Sequence, residues 1–130
     1  MDIIQSPAEM QQWAGAQALA SQSIALVPTM GFFHEGHLSL MRMAAKLCDL
    51  VVVSLFVNPT QFGPNEDFAV YPRDEEGDAE KLRELGADLL FAPSVEEMYP
   101  PDALTRVTVP SLGDMLEGEH RPGFFTGVAT

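Results

Sequence analysis

Apolar positions along the chain alternate between two kinds of block. Some are continuous: Ile24 to Val27 reads as a short buried strand, and Leu50 to Val57 as the clearest strand in the chain. The second run is rich in β-branched residues, which suits a strand covered on both faces of a parallel sheet. Asp88 to Ala92 reads as a third strand. Others repeat at helical spacing. Leu38 to Cys48, opening at His37, carries Leu40, Met41, Ala44, Leu47 and Cys48 on one face. Leu38, Met43 and Ala45 widen that face, so this helix is expected to be mostly buried, with Asp49 closing it. Asp74 to Leu85 reads as an exposed acidic helix with Ala79, Leu82 and Leu85 inward and Gly86 at its end.

Punctuation fills the rest. Ser6, Pro7 and Glu9 predict a helix start with a capping box, running to about Leu19, with Trp13 as a packing anchor. Pro28 and Gly31 break the first strand. Two prolines and a glycine make Asn58 to Asn65 a loop, and Tyr71-Pro72-Arg73 is a turn. Ser94-Val95-Glu96-Glu97 is a capping box before a short helical turn, and Thr105 to Val109 alternates like an edge strand. The order helix, strand, helix, strand, helix, strand predicts an α/β fold, a Rossmann-like parallel sheet with flanking helices and right-handed crossovers. No G-x-G-x-x-G follows the first strand.

Length and composition narrow the class. The 130 residues suffice for one modest domain and are 46% hydrophobic, which excludes a disordered chain. No apolar run approaches the ~20 residues that span a bilayer, and the N-terminus has no secretory pattern. The single cysteine, Cys48, excludes an internal disulfide and reads as a packed thiol. A cytoplasmic protein without membrane contact is expected. The net charge of −12 argues against nucleic acid as a partner. An anionic substrate would then need a locally positive site. Arg42, Lys46, Arg73 and Arg121 lie near motifs and are candidates for it, whereas Lys81 and Arg83 are expected to pair with surface carboxylates.

The chemistry concentrates in Ser23 to Ser39. Here a strand ends, His34-Glu35-Gly36-His37 follows, and a helix begins. Ligands of open α/β sheets bind outside the strands' carboxyl ends. A helix start offers unpaired N–H groups and partial positive charge to an anion, and two imidazoles add donors for oxygens whose charge grows during reaction at phosphorus. A structural role for the histidines weighs about equally on this spacing alone. In the loop after the second strand, Asn58 and Gln61 can bind a hydroxyl or carboxylate without adding charge; an Asx-type turn is the equal alternative for Asn58. The run Asp74, Glu75, Glu76 and Asp78 is adequately explained by helix-end electrostatics.

Pro28-Thr29-Met30-Gly31 followed by His34-Glu35-Gly36-His37 resembles the HxGH nucleotidylyltransferase superfamily. Phe56-Val57-Asn58-Pro59-Thr60-Gln61-Phe62, then Asn65-Glu66-Asp67 and Tyr71-Pro72-Arg73, make the chain similar to the pantoate–β-alanine ligase family. The resemblance runs on through Phe91-Ala92-Pro93-Ser94 and Met98-Tyr99-Pro100 to Arg121-Pro122-Gly123. It implies ATP-dependent ligation of pantoate and β-alanine to pantothenate through a pantoyl adenylate, releasing pyrophosphate and AMP. It further implies His34 and His37 as catalytic donors, and Pro28, Thr29, Met30, Gly31, His34, Gly36 and His37 as the ATP site. Gln61, Met30 and Asn58 would hold pantoate, with Gln61 also at the β-alanine site and Phe62 as an apolar wall. ATP with Mg²⁺ is the implied nucleotide, Asp78 a candidate for helping hold the metal, and a homodimer the implied assembly.

The family continues for about as long again beyond residue 130, with a second lysine- and serine-containing nucleotide motif and a lid-like domain. The resemblance therefore makes residues 1–130 an incomplete, truncated N-terminal nucleotide- and pantoate-binding domain, inactive or weakly active alone. Where the family usually has His after Arg121-Pro122-Gly123, this chain has Phe124. Three other readings stay open: another HxGH nucleotidylyltransferase, a non-catalytic folding or dimerisation module, and a non-catalytic nucleotide binder.

Overall fold

A four-stranded parallel sheet carries the first part of the chain. The structure, a computed structural model, describes residues 1–63, 66 and 68–130. The loop residues Pro64 and Asn65, and the Asn65 and Asp67 of the family signature, lie outside the described residues. The described residues fall into two units, Met1–Phe56 with Pro72–Met98, and Val57–Tyr71 with Tyr99–Thr130.

In the first unit β1 (Asp2–Ile4) leads to α1 (Pro7–Leu19), β2 (Ile24–Thr29), α2 (Glu35–Leu47), β3 (Leu50–Leu55), α3 (Glu75–Leu85), β4 (Leu89–Phe91) and α4 (Val95–Met98). The sheet order is β1-β4-β3-β2 with every pairing parallel. The register sets Val27 beside Val53, and Val53 beside Leu90. β3 is central, and its continuous apolar run has the expected outcome: Val51, Val52 and Val53 are all buried, so both faces are covered. The main core joins Val27, Val51, Val53, Leu55 and Leu90 to Met41 and Ala44 of α2 and Ala79 and Leu82 of α3.

In this unit four points differ from expectation. β1 is a strand not foreseen, because three residues carry no measurable period; it pairs along β4 from Asp2 beside Leu89. β2 runs through Pro28 to Thr29 instead of stopping at Pro28. β2 lies at the sheet edge, where a residue without an N–H is tolerated. Ser6 precedes Pro7 as foreseen but makes no side-chain cap bond, so no capping box forms, and α1 buries no residue, leaving Trp13 only half-buried. Helix α2 is not mostly buried: Met41 and Ala44 are, while Leu40, Met43 and Leu47 are exposed.

The helix α3 is as foreseen at its ends. Asp74 accepts the Gly77 N–H, and Gly86 closes it in the left-handed region at φ +84°. Ser94 accepts the Glu97 N–H at 3.2 Å, as its half of the predicted box.

The second unit has no strand among its described residues. Thr105 to Val109 is irregular and exposed, not an edge strand, since its alternation has no sheet to pair with. Short turns of helix, including α5 (Glu117–His120) and α6 (Phe124–Ala129), carry the rest. Among described residues only Val57, Asn58, Gly118 and Gly127 are buried there. Two of these are glycines in close backbone contact: a Cβ on Gly127 would collide with the Thr60 carbonyl, and one on Gly118 with the Gly113 carbonyl.

Candidate active site

The loop from Met30 to His37 joins β2 to α2. Gly31 lies at φ +85° and Phe32 at φ +54°, so two consecutive residues have positive φ. Thr29, at the strand end, is buried and internally engaged. Its hydroxyl donates to the Ser54 carbonyl at 2.7 Å and accepts the Gly31 N–H at 3.3 Å. Gly31 is buried, Pro28 is exposed and Met30 is half-buried.

His34 is the N-cap of α2, one residue before the helix proper, and His37 stands in its first turn. The N-terminal amides expected to be free for an anion are partly taken by the histidines themselves. His34 Nδ1 accepts the Gly36 N–H at 3.1 Å, and His37 Nδ1 accepts the His34 N–H at 3.4 Å. This is a capping box built of two imidazoles. Because each Nδ1 is an acceptor, each neutral ring carries its proton on Nε2. The start of the helix therefore carries two Nε2–H donors. The rings lie 4.1 Å apart, centre to centre, and Phe33 packs 5.7 Å from His37. Burial and the neighbouring His34 push His37 below the ordinary 6.5 of a histidine, against the pull of the Asp78 charge. His37 is thus neutral at pH 7, in the tautomer its cap bond selects.

Asp78, the candidate for helping hold a metal, is engaged inside the protein. It is fully buried, and its two oxygens accept the N–H groups of Phe32 and Phe33. No group of three or more His, Cys, Asp or Glu able to hold a metal ion occurs among the described residues. Lys81, expected to meet a surface carboxylate, instead donates to Asp78 and to the Phe33 carbonyl at 3.2 Å. Reading from sequence missed this pair, since one buried carboxylate in an acidic run looks like its solvated neighbours.

In the second unit Asn58 is a buried hub. Its Oδ1 accepts the Thr60 N–H at 3.1 Å and the Tyr99 hydroxyl at 3.0 Å, and its Nδ2 donates to the Gly127 carbonyl at 3.1 Å. Of the two readings weighed for Asn58, the turn-forming one describes this geometry. Gln61 is held by its backbone: its N–H donates to the Asn58 carbonyl, and its carbonyl accepts Arg121 Nη2 at 2.9 Å. Its side-chain amide has no partner among the described residues. It lines a cavity of about 490 Å³ together with Thr60, Phe62, Glu66, Arg121 and Phe124.

Arg121 is not a free cation for an anionic substrate. It pairs with Glu66, lies 3.7 Å from Glu117, and stacks over Phe124 at 4.1 Å from the ring centre. Arg42, likewise flagged from sequence, pairs with Glu35. Two of the arginines flagged for a locally positive site are thus engaged with carboxylates. Phe62 packs edge-on to Phe68 and Tyr71 beside the cavity it lines.

Comparison with known proteins bears on the chain as a whole. The family model described as pantoate-beta-alanine ligase matches residues 2–130. A pantothenate synthetase of Thermoanaerobacter sp. (strain X514) is 60% identical over 114 residues, covering 88% of this chain and 40% of that protein. One of Moorella thermoacetica is 53% identical over 130 residues, covering 100% of the chain and 46% of the relative. The crystal structure of pantothenate synthetase from Thermus thermophilus superposes with a TM-score of 0.91 at 50% identity, over 100% of this chain and 46% of that one. A pantoate-beta-alanine ligase from Francisella tularensis, complexed with beta-gamma ATP and beta-alanine, superposes with a TM-score of 0.85 at 40% identity, over 98% and 49%. The chain thus spans less than half the length of the curated relatives it matches.

Proposed function

The chain belongs to the pantoate–beta-alanine ligase family, and from that premise we propose that it carries the adenylating part of an ATP-dependent ligation of pantoate to β-alanine. A carboxylate is a poor acyl donor because its leaving group would be oxide. A carboxylate oxygen of pantoate attacks the α-phosphorus of ATP, the bond from that phosphorus to the bridging oxygen breaks, and pyrophosphate leaves with the electron pair. The β-alanine amine then attacks the acyl carbon, loses a proton, and AMP departs.

The observation that carries this reading is the pair of Nε2–H donors at the N-terminus of α2. Neutral donors serve a triphosphate well in a chain of net charge −12, since they hydrogen-bond the growing charge at phosphorus without needing a counter-ion. A well-placed donor of this kind contributes about 3 kcal/mol to the transition state. Gly31 and Gly36 let the backbone approach ATP, with Pro28, Thr29 and Met30 shaping the same site. Gln61, fixed by its backbone and with no side-chain partner among the described residues, holds pantoate, and Asn58 acts by holding the Gln61 turn. Gln61 also meets β-alanine. Mg²⁺ belongs to the substrate as the counter-ion of the triphosphate. A cytoplasmic setting, where ATP is supplied, is part of the same proposal.

The test is pantoate-dependent exchange of labelled pyrophosphate into ATP by this chain. His37→Ala is expected to cut the exchange rate by about 100-fold, with the fold intact by circular dichroism. Gln61→Ala is expected to raise the pantoate requirement far more than the ATP requirement. Wild-type exchange in His37→Ala, or unchanged pantoate kinetics in Gln61→Ala, overturns the corresponding role.

One observation favours a second reading, a dimerisation module without turnover of its own. Leu40, Met43 and Leu47 form an exposed apolar line along α2, which a second copy of the chain could cover. A folded chain that sediments as a dimer and shows no exchange would support it.

A further inference from the structure

The loop before α2 is strained and polar, yet it holds the two imidazoles in one arrangement. Gly31 and Phe32 both have positive φ. A left-handed phenylalanine persists only where its surroundings over-determine it. What surrounds it is α3. Asp78, in the first turn of α3, is 0% exposed and lies 46 residues from Phe32 in the chain. Its Oδ2 accepts the Phe32 N–H, and its Oδ1 accepts the Phe33 N–H at 2.8 Å. Lys81, one turn on, sits 3.4 Å from Oδ1 and donates to the Phe33 carbonyl at 3.2 Å. Both main-chain polar groups of Phe33 and the amide of Phe32 are therefore fixed by two side chains of one helix.

The fit is close on every side. A Cβ at Gly31 would stand 3.1 Å from Asp78 Oδ2, so the glycine leaves room for the carboxylate. The Phe33 side chain is buried in the core, and the next residue is the N-cap that holds His37. A carboxylate is the one side chain of this size that accepts two N–H bonds with separate oxygens. Bonds to a charged acceptor are also the stronger kind.

We infer that Asp78, with Lys81 as its counter-charge, is the positioning residue of the histidine pair: it fixes the loop that aims both imidazoles and touches no substrate. This deepens the reading of His34 and His37 as phosphate donors and rests on it for its catalytic consequence only. The positioning itself is a property of the chain without substrate.

The experiment compares the chain with Asp78→Asn and Lys81→Met. Asparagine keeps the shape but offers one acceptor oxygen for two amides. Hydrogen exchange at Phe32 and Phe33 is expected to speed up about tenfold or more in Asp78→Asn, while amides of β3 stay protected. Imidazole ¹⁵N shifts of His34 and His37, fixed to the Nε2–H tautomer in the wild type, are expected to move toward the tautomer average. Lys81→Met is expected to give the same changes, smaller in size. If Asp78→Asn does not fold, Lys81→Met decides alone. Unchanged amide exchange and unchanged imidazole shifts in the folded variant overturn the inference. If the imidazole shifts move but pyrophosphate exchange keeps its wild-type rate, the positioning stands and the catalytic use of the histidines falls.

Discussion

The loop of the histidines and the loop of Gln61 each follow a strand in the chain, and they are held by opposite means. The first is pinned by a carboxylate with no exposure, set among core residues of a parallel sheet. The second is pinned by a buried amide, Asn58, and by the partly exposed ion pair of Arg121 and Glu66, in a unit with few buried side chains. Burial makes a polar contact costly to remove, because the stranded partner cannot turn to water. Exposure makes it cheap and sensitive to salt. The first loop is therefore built for a fixed position, while the second is fixed at Asn58 and depends on its medium through the Arg121–Glu66 pair.

The largest test is a pair of substitutions, one in each unit. Asp78→Ala strands two backbone N–H groups and is expected to cost about 3 kcal/mol, read as a fall in the urea midpoint followed at β3 amides. Gly127→Ala drives a methyl into the Thr60 carbonyl, breaks the turn on which Asn58 and Gln61 sit, and is expected to cost about 2 kcal/mol. That loss should register at the Thr60 and Gly63 amides and leave β3 protected. Equal loss at both sets of probes in either variant would break the contrast between the units.

Acid sharpens the contrast further. His37 is held below 6.5 by burial and by His34, opposed by Asp78. The unfolded chain then takes that proton before the folded chain does, so stability is full above pH 6.5 and falls as pH drops below it. Glu66 is held below 4.5 by its bonds to Arg121 and to the Gly63 N–H. Its contribution is full above pH 4.5 and is lost only as pH falls further. The first unit also has acid steps from Glu35 and Asp49, held low by Arg42 and Ser23, so the difference lies in the upper window. Urea midpoints followed at β3 amides should begin to fall below pH 6.5, whereas protection of the Gly63 amide should hold to about 4.5. His37→Asn should remove the upper step alone. A single shared step in both units would contradict the assignment.

Much of the first unit was legible in the sequence because its signals are periodic. The β-branched run of β3, the spacing of α2 and the Gly86 cap each state one structure. β1 was not legible, since three residues have no period, and Pro28 misled because a breaker in a central strand is harmless at an edge. The depth of α2 was overread: periodicity shows which residues share a face, not whether anything covers it. At the candidate site, His34, His37 and Gln61 were singled out from local pattern and resemblance. What holds them was not, because Asp78 meets its loop across 46 residues and Arg121 meets Gln61 across 60. Such restraints are set by the fold, and in sequence Asp78 and Arg121 are two charges among many.

The smallest expected effect tests how lightly the second loop is held. Arg121 stacks on the ring of Phe124 at 4.1 Å from its centre. Phe124→His keeps an aromatic face in the same place at the first position of α6. The nearby guanidinium disfavours a second positive charge, so the new imidazole should stay neutral at pH 7 and remain a partner for stacking. Arg121 keeps its bonds to Glu66 and to the Gln61 carbonyl, neither of which involves residue 124. The cost should be about 0.5 kcal/mol or less, the scale of a cation–π contact at an exposed site. Protection of the Gln61 and Gly63 amides, measured by hydrogen exchange, should be nearly unchanged. A large loss there would mean that the ring of Phe124 holds Arg121 in place, and that the second loop depends on apolar packing as the first depends on its buried carboxylate.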